Sequence, residues 1–537
     1  MSPARRDRGP AEHAPGEPAG AQDAGPVVLW EFAVLLRLLG DTHLGAARAV
    51  PRHAAHGDVD LPLDRDPASG APRLRATTLA GLLRHELARR AGERRAARLF
   101  GDADGASALH LDDAVAELPA GAGVAVRTGN RVDPATGAAV PGGLWQAEVL
   151  PAGTVFAVRL HLHVADAAAE AELLGLLAAA ADGLTGEGPG IRLGGRGGRG
   201  YGAVRAAAWH ARRHDLTRED GWFAYYGRTW RERRADLERG LAGAPGDVRA
   251  AVGAVLAEQC GAAAAAAFAE AAAAVPDGRR WAEVRLGVAV GERPTEAFLG
   301  GWRPGEVRPG LLMVGDAPRL DRMDTADRVH LRRPADTSGQ LAEQPLLGDT
   351  ALFALFKRIG RRLARDLGEA RGADWRAWHE RWWGADPATG GGSGPPSRIR
   401  LRRAPVIDEG SPWRAARLTV DALFADAVAG RMTTEELHCG GRAEVVLDVW
   451  EPDEAVLGML ALVVRELATV AFDTAGSGAG AGHGRLAVVS AEVVPAPGEA
   501  AVDVLAAVGD PVGGHRARVQ RWVDAWTSAL AGGEEGT

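Results

Sequence analysis

The chain of 537 residues repeats one order of elements, and that repeat constrains its fold more than any other feature. The first copy opens with "LWEFAVLLRLLGDTHLG" from Leu29, an apolar run of strand length followed by turn residues. The polar stretch "AARAVPRHAAHGDVDLPLDRDPASGAPRL" reads as loop. "ATTLAGLLRHELARRAGERRAARLFG" has helical spacing with a Thr at its start as N-cap. "LHLDDA" and "GVAVRTGNRVD" read as short strands, and "EVLPAGTVFAVRLHLHV" as a long alternating one. "AAAEAELLGLLAAAADGL" is an amphipathic helix; a glycine loop and the closing strand "YGAVRAAAW" follow.

The second copy keeps this order. "WAEVRLGVAV" (281–290) matches the opening strand, and "DRVHLRRPADTSG" sits beside "DLPLDRDPASG". "LLGDTALFALFKRIGRRLA" sits beside "LRATTLAGLLRHELA", "VLGMLALVVRELATV" replays the second helix, and "AGSGAGAGHGRLAVV" replays the glycine loop and closing strand. Asp133 to Glu148 and Asp421 to Glu436 are both fifteen residues apart, and Asp60 pairs with Asp327 in the alignment. Strand, helix, strands, helix, strand is the order of a ferredoxin-like sandwich. The fold class expected is therefore α/β (α+β): two ferredoxin-like, RRM-like modules at 28–209 and 281–500. A helical bridge spans 210–280 and a Gly/Pro-rich linker 384–397. Residues 1–27 read as a disordered tail and 501–537 as a C-terminal helix and tail. In the bridge, Trp222, Phe223, Tyr225, Tyr226 and Trp230 read as packing anchors.

A net charge of −7 argues against coating nucleic acid by bulk charge and leaves room for a local basic groove. Two cysteines, Cys260 and Cys439, far apart and without a CxxC, exclude a disulfide framework and fit a reducing cytoplasm. The N-terminal stretch lacks the apolar core of a signal peptide, and "GAAAAAAFAEAAAAV" reads as packed helix rather than membrane span.

The first glycine loop, "GGRGGRGYGAV" (194–204), carries the candidate chemistry. Gly195, Gly197 and Gly200 satisfy G-x-G-x-x-G, but a dinucleotide site needs that motif after a strand and opening a helix, whereas here it follows a helix and feeds a strand. No phosphate loop of the G-x-x-x-x-G-K-[ST] type occurs. "RGYGAV" approaches an RNA-recognition signature, yet its stacking positions are Ala203 and Ala206. Two readings remain: a clamp on an RNA backbone, or a glycine loop that only lets strand and helix pack closely, the reading that suits the second loop. Gly194, Gly195, Gly197, Gly198 and Gly200 let the main chain and its N–H donors approach phosphate, and Arg192, Arg196 and Arg199 add charge with no acid between Gly190 and His214. In the second loop only His483 and Arg485 bring possible charge.

These features together resemble the RAMP superfamily of CRISPR-associated proteins. The resemblance runs in family order over Trp30 to Val204 through "GDTHLG", "VDLPLDRDPASGAP", "RATTLAGLLRHEL", "RLFG", "LHLDDA", "RVDPATGAA", "LWQAEVLPAGTVF" and "LGGRGGRGYGAV". The second half matches more loosely and lacks an "LFG". The first half resembles the backbone subunits of type III CRISPR effectors. The resemblance implies partners: a guide RNA, a single-stranded target RNA and other effector subunits, with no membrane. It also implies that an aspartate in the long loop after the first strand cleaves target RNA with a divalent metal, Mg²⁺ or Mn²⁺. Asp60 matches that aspartate and the metal-holding position, and Asp327 takes its place in the second half. Ala80 stands where the family's helix start has a lysine, and Arg75 or Arg84 would replace that contact. The alternative is a catalytically silent scaffold subunit of the same kind of complex. Processing of precursor guide RNA would need a histidine-centred site, and only His43, His53 and His56 flank the loop.

Overall fold

The computed structural model describes residues 27–46, 59–130, 140–291, 310–313, 326–337, 340–385, 395–469, 473–509 and 513–531. The expected N-terminal tail up to residue 26 falls outside these residues, as do most of the linker and His53, His56 and Asp133, while Val27 already donates to the Val164 carbonyl.

In the first half the opening strand is β1 (Val28–Leu38). Helix α1 (Ala76–Ala91), strand β2 (Leu109–Leu111), the hairpin of β3 (Ala125–Gly129) and β4 (Trp145–Val149), and strand β5 (Val155–Val164) follow. Helix α2 (Glu170–Ala181) and strand β6 (Val204–Asp215) close the module. The central β1 pairs antiparallel with β5 on one side and β6 on the other, and β5 pairs onward with β2. Alternation along β1 decides its two faces. Trp30, Phe32, Val34 and Leu36 enter a core with Leu79, Leu83 and Leu87 of α1 and Leu174 and Leu177 of α2.

The opposite face of this sheet is also covered, which alters the bridge reading. After α3 (Glu219–Tyr226), helix α4 (Trp230–Gly240) lies over β1 and β6, packing Leu237 on Ala33 and Ala208. Glu31 of β1, fully buried, is held there by His214 at 2.9 Å and Arg233 at 3.0 Å. Helices α5 (Val248–Gln259) and α6 (Ala262–Ala273) add Val252, Leu256 and Phe268 to the first core, so much of 210–280 is a layer of the first module and not a bridge. The closing strand likewise runs to Asp215, beyond the expected boundary at 209. The anchor reading of the aromatics fails for four of the five: Trp222, Phe223, Tyr226 and Trp230 are 40–56% exposed, and only Tyr225 is tucked in, beneath Arg233.

The second half repeats the topology with β7 (Trp281–Val290), α7 (Asp349–Arg371), β8 (Ile399–Leu401), the hairpin of β9 (Ser411–Val420) and β10 (Ala427–Cys439), β11 (Arg442–Trp450), α8 (Glu454–Thr469) and β12 (Leu486–Val494). Again the opening strand is central, between β11 and β12, with β8 beyond β11 and all pairs antiparallel. The C-terminal helix Gly514–Ala529 is part of this module: Trp522 and Trp526 join its core, and Gly458 of α8 leaves room for the Trp522 carbonyl.

One irregularity fixes the correspondence. In β6 a bulge leaves Ala207 without a partner between Ala206, opposite Leu36, and Ala208, opposite Leu35. In β12 a bulge leaves Val489 without one between Val488, opposite Val288, and Ser490, opposite Gly287. Each bulge falls on the fourth residue of the closing strand. Bulges are inherited features of a fold.

No helix of the described residues is long and apolar enough to cross a membrane. Cys260 and Cys439 are free thiols.

Candidate functional site

Each glycine loop is held by one set of backbone bonds, duplicated. Gly202 N–H donates to the Asp41 carbonyl and Gly484 N–H to that of Gly310, both at 3.0 Å. Gly195 donates to the His43 carbonyl and Ser477 to that of Leu312; Leu193 donates to the carbonyl of Gly202 and Ala475 to that of Gly484. The four positive-φ positions also correspond: Gly194, Arg196, Gly200 and Gly202 with Gly476, Gly478, Gly482 and Gly484. A Cβ on Gly202 would lie 2.1 Å from the Leu193 carbonyl oxygen, and one on Gly484 at 2.1 Å from that of Ala475, so glycine is required at both.

The tip of each loop presents donors. Among the described residues, the backbone N–H groups of Arg196, Gly197 and Gly198 have no acceptor, nor do those of Gly478, Ala479 and Gly480. Successive free amides in a turn with a left-handed residue form an anion-binding concavity. Arg196 occupies the left-handed position with φ 62°, and its guanidinium lies 3.7 Å over the Trp145 ring. Burial lowers its pKa. Gly194 and Gly195 are exposed, Gly197, Gly198 and Arg199 half-buried, and Gly200 buried against the Arg403 backbone. His483 and Arg485 are half-buried in the second loop.

The two expected aspartates are equivalent in geometry. Asp60 is exposed and its Oδ2 accepts the Gln146 N–H at 2.9 Å; Asp327 is exposed and its Oδ2 accepts the Thr434 N–H at 2.7 Å and the Thr434 hydroxyl at 3.0 Å. Those Thr434 hydrogen bonds lower the Asp327 pKa. Leu61 then pairs parallel with β4 as Arg328 and Val329 do with β10. The neighbouring acids have other work. Asp64 binds Arg75 through two bonds of 2.7 Å and Arg73 at 3.0 Å, and Asp66 closes a turn on Ser69. Arg75 is therefore committed to Asp64, while Arg84 donates to the Gly101 carbonyl at 2.5 Å. His43 is buried and bonded through Nδ1 to the Glu148 carbonyl at 2.7 Å. The first N–H of α1 is capped from outside by Asp113 Oδ1 at 2.7 Å, not by a local Thr. Among the described residues no three His, Cys, Asp or Glu side chains gather as a metal-holding group. One exposed carboxylate suits a cation that keeps most of its water, the ordinary habit of Mg²⁺.

The modules meet at the first glycine loop, where sequence reasoning placed no contact. Leu401 N–H donates to the Gly198 carbonyl at 3.0 Å, and Arg199 bridges to Leu401 in parallel. Arg333 Nη1 lies 3.0 Å from Asp41 Oδ2, which also takes Arg127 at 2.7 Å, and Asp349 is 3.7 Å from the same Arg333 nitrogen. Tyr201, behind the loop, is buried, which pushes its phenol up to about 12.

Residues 35–205 match the sequence model of the RAMP superfamily. The matched stretch runs from within β1 to the start of β6, about a third of the chain, and this similarity supports a RAMP-like, CRISPR-associated, RNA-binding class for the first module. No curated protein matches the chain. Beyond residue 205 the second half is tied to the first by the duplicated backbone geometry.

Proposed function

We propose that the chain is a tandem pair of ferredoxin-like RAMP modules that holds guide RNA as a backbone subunit of a type III CRISPR effector, and that Asp60 and Asp327 cut target RNA. The observation that carries this reading is the double recurrence: both glycine turns with their free amides, and both aspartates on the same strand amide. A metal-assisted cut fits one exposed carboxylate per module, with Mg²⁺ or Mn²⁺ neutralising phosphate charge when bound. The carboxylate takes the proton from a ribose 2′-OH, that oxygen attacks the adjacent phosphorus, and the 5′-oxygen leaves, giving a 2′,3′-cyclic phosphate. The sheet faces take no part in the first module, because α4 covers the surface an RRM would use.

The competing reading is a silent scaffold, favoured by the hydrogen bonds that already hold each aspartate to its neighbouring strand. Cleavage of a labelled target by the assembled complex decides between them. Loss of one product per aspartate variant, with target binding intact, supports nuclease action; no metal-dependent product from the unaltered protein supports the scaffold.

A further inference from the structure

The seam between the modules is more cationic than the repeat requires. Strand β2 leaves the first module as "HLDD", His110 to Asp113, and the equivalent β8 leaves the second as "RLRR", Arg400 to Arg403. The correspondence follows from pairing: Leu111 opposes Leu160 of β5, and Leu401 opposes Leu447 of β11. Two acids of one copy are thus two arginines in the other, at the place where the first glycine loop docks.

Arg402 has internal partners, Glu283 and Asp448. Arg400 and Arg403 do not: among the described residues neither has a carboxylate partner, and the same holds for Arg192 and Arg199 of the loop. Arg400 instead lies 5.7 Å from the Trp450 ring centroid, which Arg89 covers from 4.6 Å. Four arginines with no ion pair of their own among the described residues thus stand on the two sides of the seam, with Asp448, the partner of Arg402, the acid whose charge reaches Arg192 and Arg400. The Arg403 backbone touches Gly200, and Arg199 runs beside Leu401. Arg192 registers the crowding. Burial is the main cause that brings its pKa down to about 10; Asp448 opposes the shift, and the charges of Arg402, Arg400 and Arg403 reinforce it. Such a cluster is electrostatically unfavourable until an anion enters.

We propose that this seam is a phosphodiester site in its own right, in which Arg192 and Arg199 of the first module and Arg400 and Arg403 of the second grip one RNA strand as it passes between modules. This rests on the RNA-backbone reading above and deepens it. A single strand crossing the seam ties both modules to one register, and the arginines give no base preference.

The test uses the full chain and a labelled single-stranded RNA, titrated over a salt series. Arg400→Ala with Arg403→Ala should weaken binding about tenfold or more. It should also flatten the log affinity against log salt slope by about 1.4, the value for two lost phosphate contacts on a single strand. The exposed Arg403→Glu, which leaves the Trp450 packing untouched, should weaken binding at least as much as Arg403→Ala. If these variants bind with unchanged affinity and slope while Arg196→Ala, outside the seam set, weakens binding, the seam is overturned and the glycine-loop reading stands. If the unaltered chain shows no salt-dependent RNA binding, both readings fall together.

Discussion

Arg333 of the second module and Asp41 of the first form a buried ion pair of 3.0 Å across the seam, with Arg127 completing it from the first module's hairpin. The pair fixes the turn after β1, whose carbonyl at Asp41 receives Gly202 of the glycine loop. Module packing and loop shape therefore share one residue. Asp41→Ala would remove the nearest acid from two buried guanidinium groups, with Asp349 still 3.7 Å from Arg333, and should cost about 3–5 kcal/mol of stability, measured by denaturant melts.

The same cluster sets an acid limit. Burial acting alone would raise the Asp41 pKa, but Arg333 and Arg127 outweigh it and hold it below 3.8. A depressed folded pKa gives stability that is present above the unfolded value and is lost as pH falls through the folded one. Asp349 acts in the opposite sense. Burial raises its pKa, Arg333 counters, and Asp41 adds to the rise, so protonating Asp349 on mild acidification relieves the folded state. Stability followed by melts against pH should hold or rise slightly in mild acid and then fall below 3.8. In Asp349→Asn the mild-acid rise should vanish while the later fall remains.

Each catalytic candidate also tethers its loop, so alanine alone cannot separate the roles. Asp60→Asn and Asp327→Asn keep an oxygen that can accept the Gln146 or Thr434 N–H but remove the charge and the proton acceptor. If the carboxylates act in the chemistry, both the Asn and Ala variants should lose their cleavage product by about 10²–10⁴-fold in rate, with target affinity kept in the Asn forms. Full cleavage by Asp60→Asn would assign Asp60 to loop positioning.

Much of this arrangement is legible in the sequence. Alternation and glycine spacing disclose the repeated order of elements, and the pairing of Asp60 with Asp327 sets side by side two residues that accept equivalent strand hydrogen bonds. What stays hidden is non-local. Ala207 and Val489 look like any strand residue until pairing exposes them as bulges. Arg400 and Arg403 look like a solvated charge run, because the loop they meet is some 200 residues away in the chain. The α1 cap comes from Asp113, so local rules point to the wrong residue. The aromatics of α3 and α4 suggest burial by composition, yet Trp222 packs edge-on to Phe223 and beside Tyr226 on the surface.

Arg196 should dissociate stability from binding. A left-handed conformation costs a residue with a side chain about 1–2 kcal/mol, and its stacking on Trp145 returns about 0.5–2 kcal/mol. Gly478 fills the same place in the second loop at no such cost. Arg196→Gly should therefore melt within about 1 kcal/mol of the unaltered protein. Its RNA affinity should fall as far as that of Arg196→Ala, whatever the RNA sequence. Binding by Arg196→Gly at full strength would reduce Arg196 to a packing residue on Trp145.

The duplicated glycines test whether the two loops are independent copies of one device. Gly202→Ala and Gly484→Ala each force a Cβ to about the same distance from a carbonyl oxygen, at φ 75° and 80°. Each substitution should therefore destabilise by about 1–3 kcal/mol or more. The loops sit in separate cores, so the two effects should add within about 0.5 kcal/mol in the double variant if the modules unfold without shared strain. The consequences for RNA differ, because only the first loop docks at the seam beside Arg400 and Arg403. Gly202→Ala should lower RNA affinity more than Gly484→Ala at equal loss of stability. The comparison is made by titrating each variant well below its melting temperature. Equal losses of affinity would mean that the second loop grips RNA as firmly as the first, with its free amides at Gly478, Ala479 and Gly480 sufficient without an arginine at the tip.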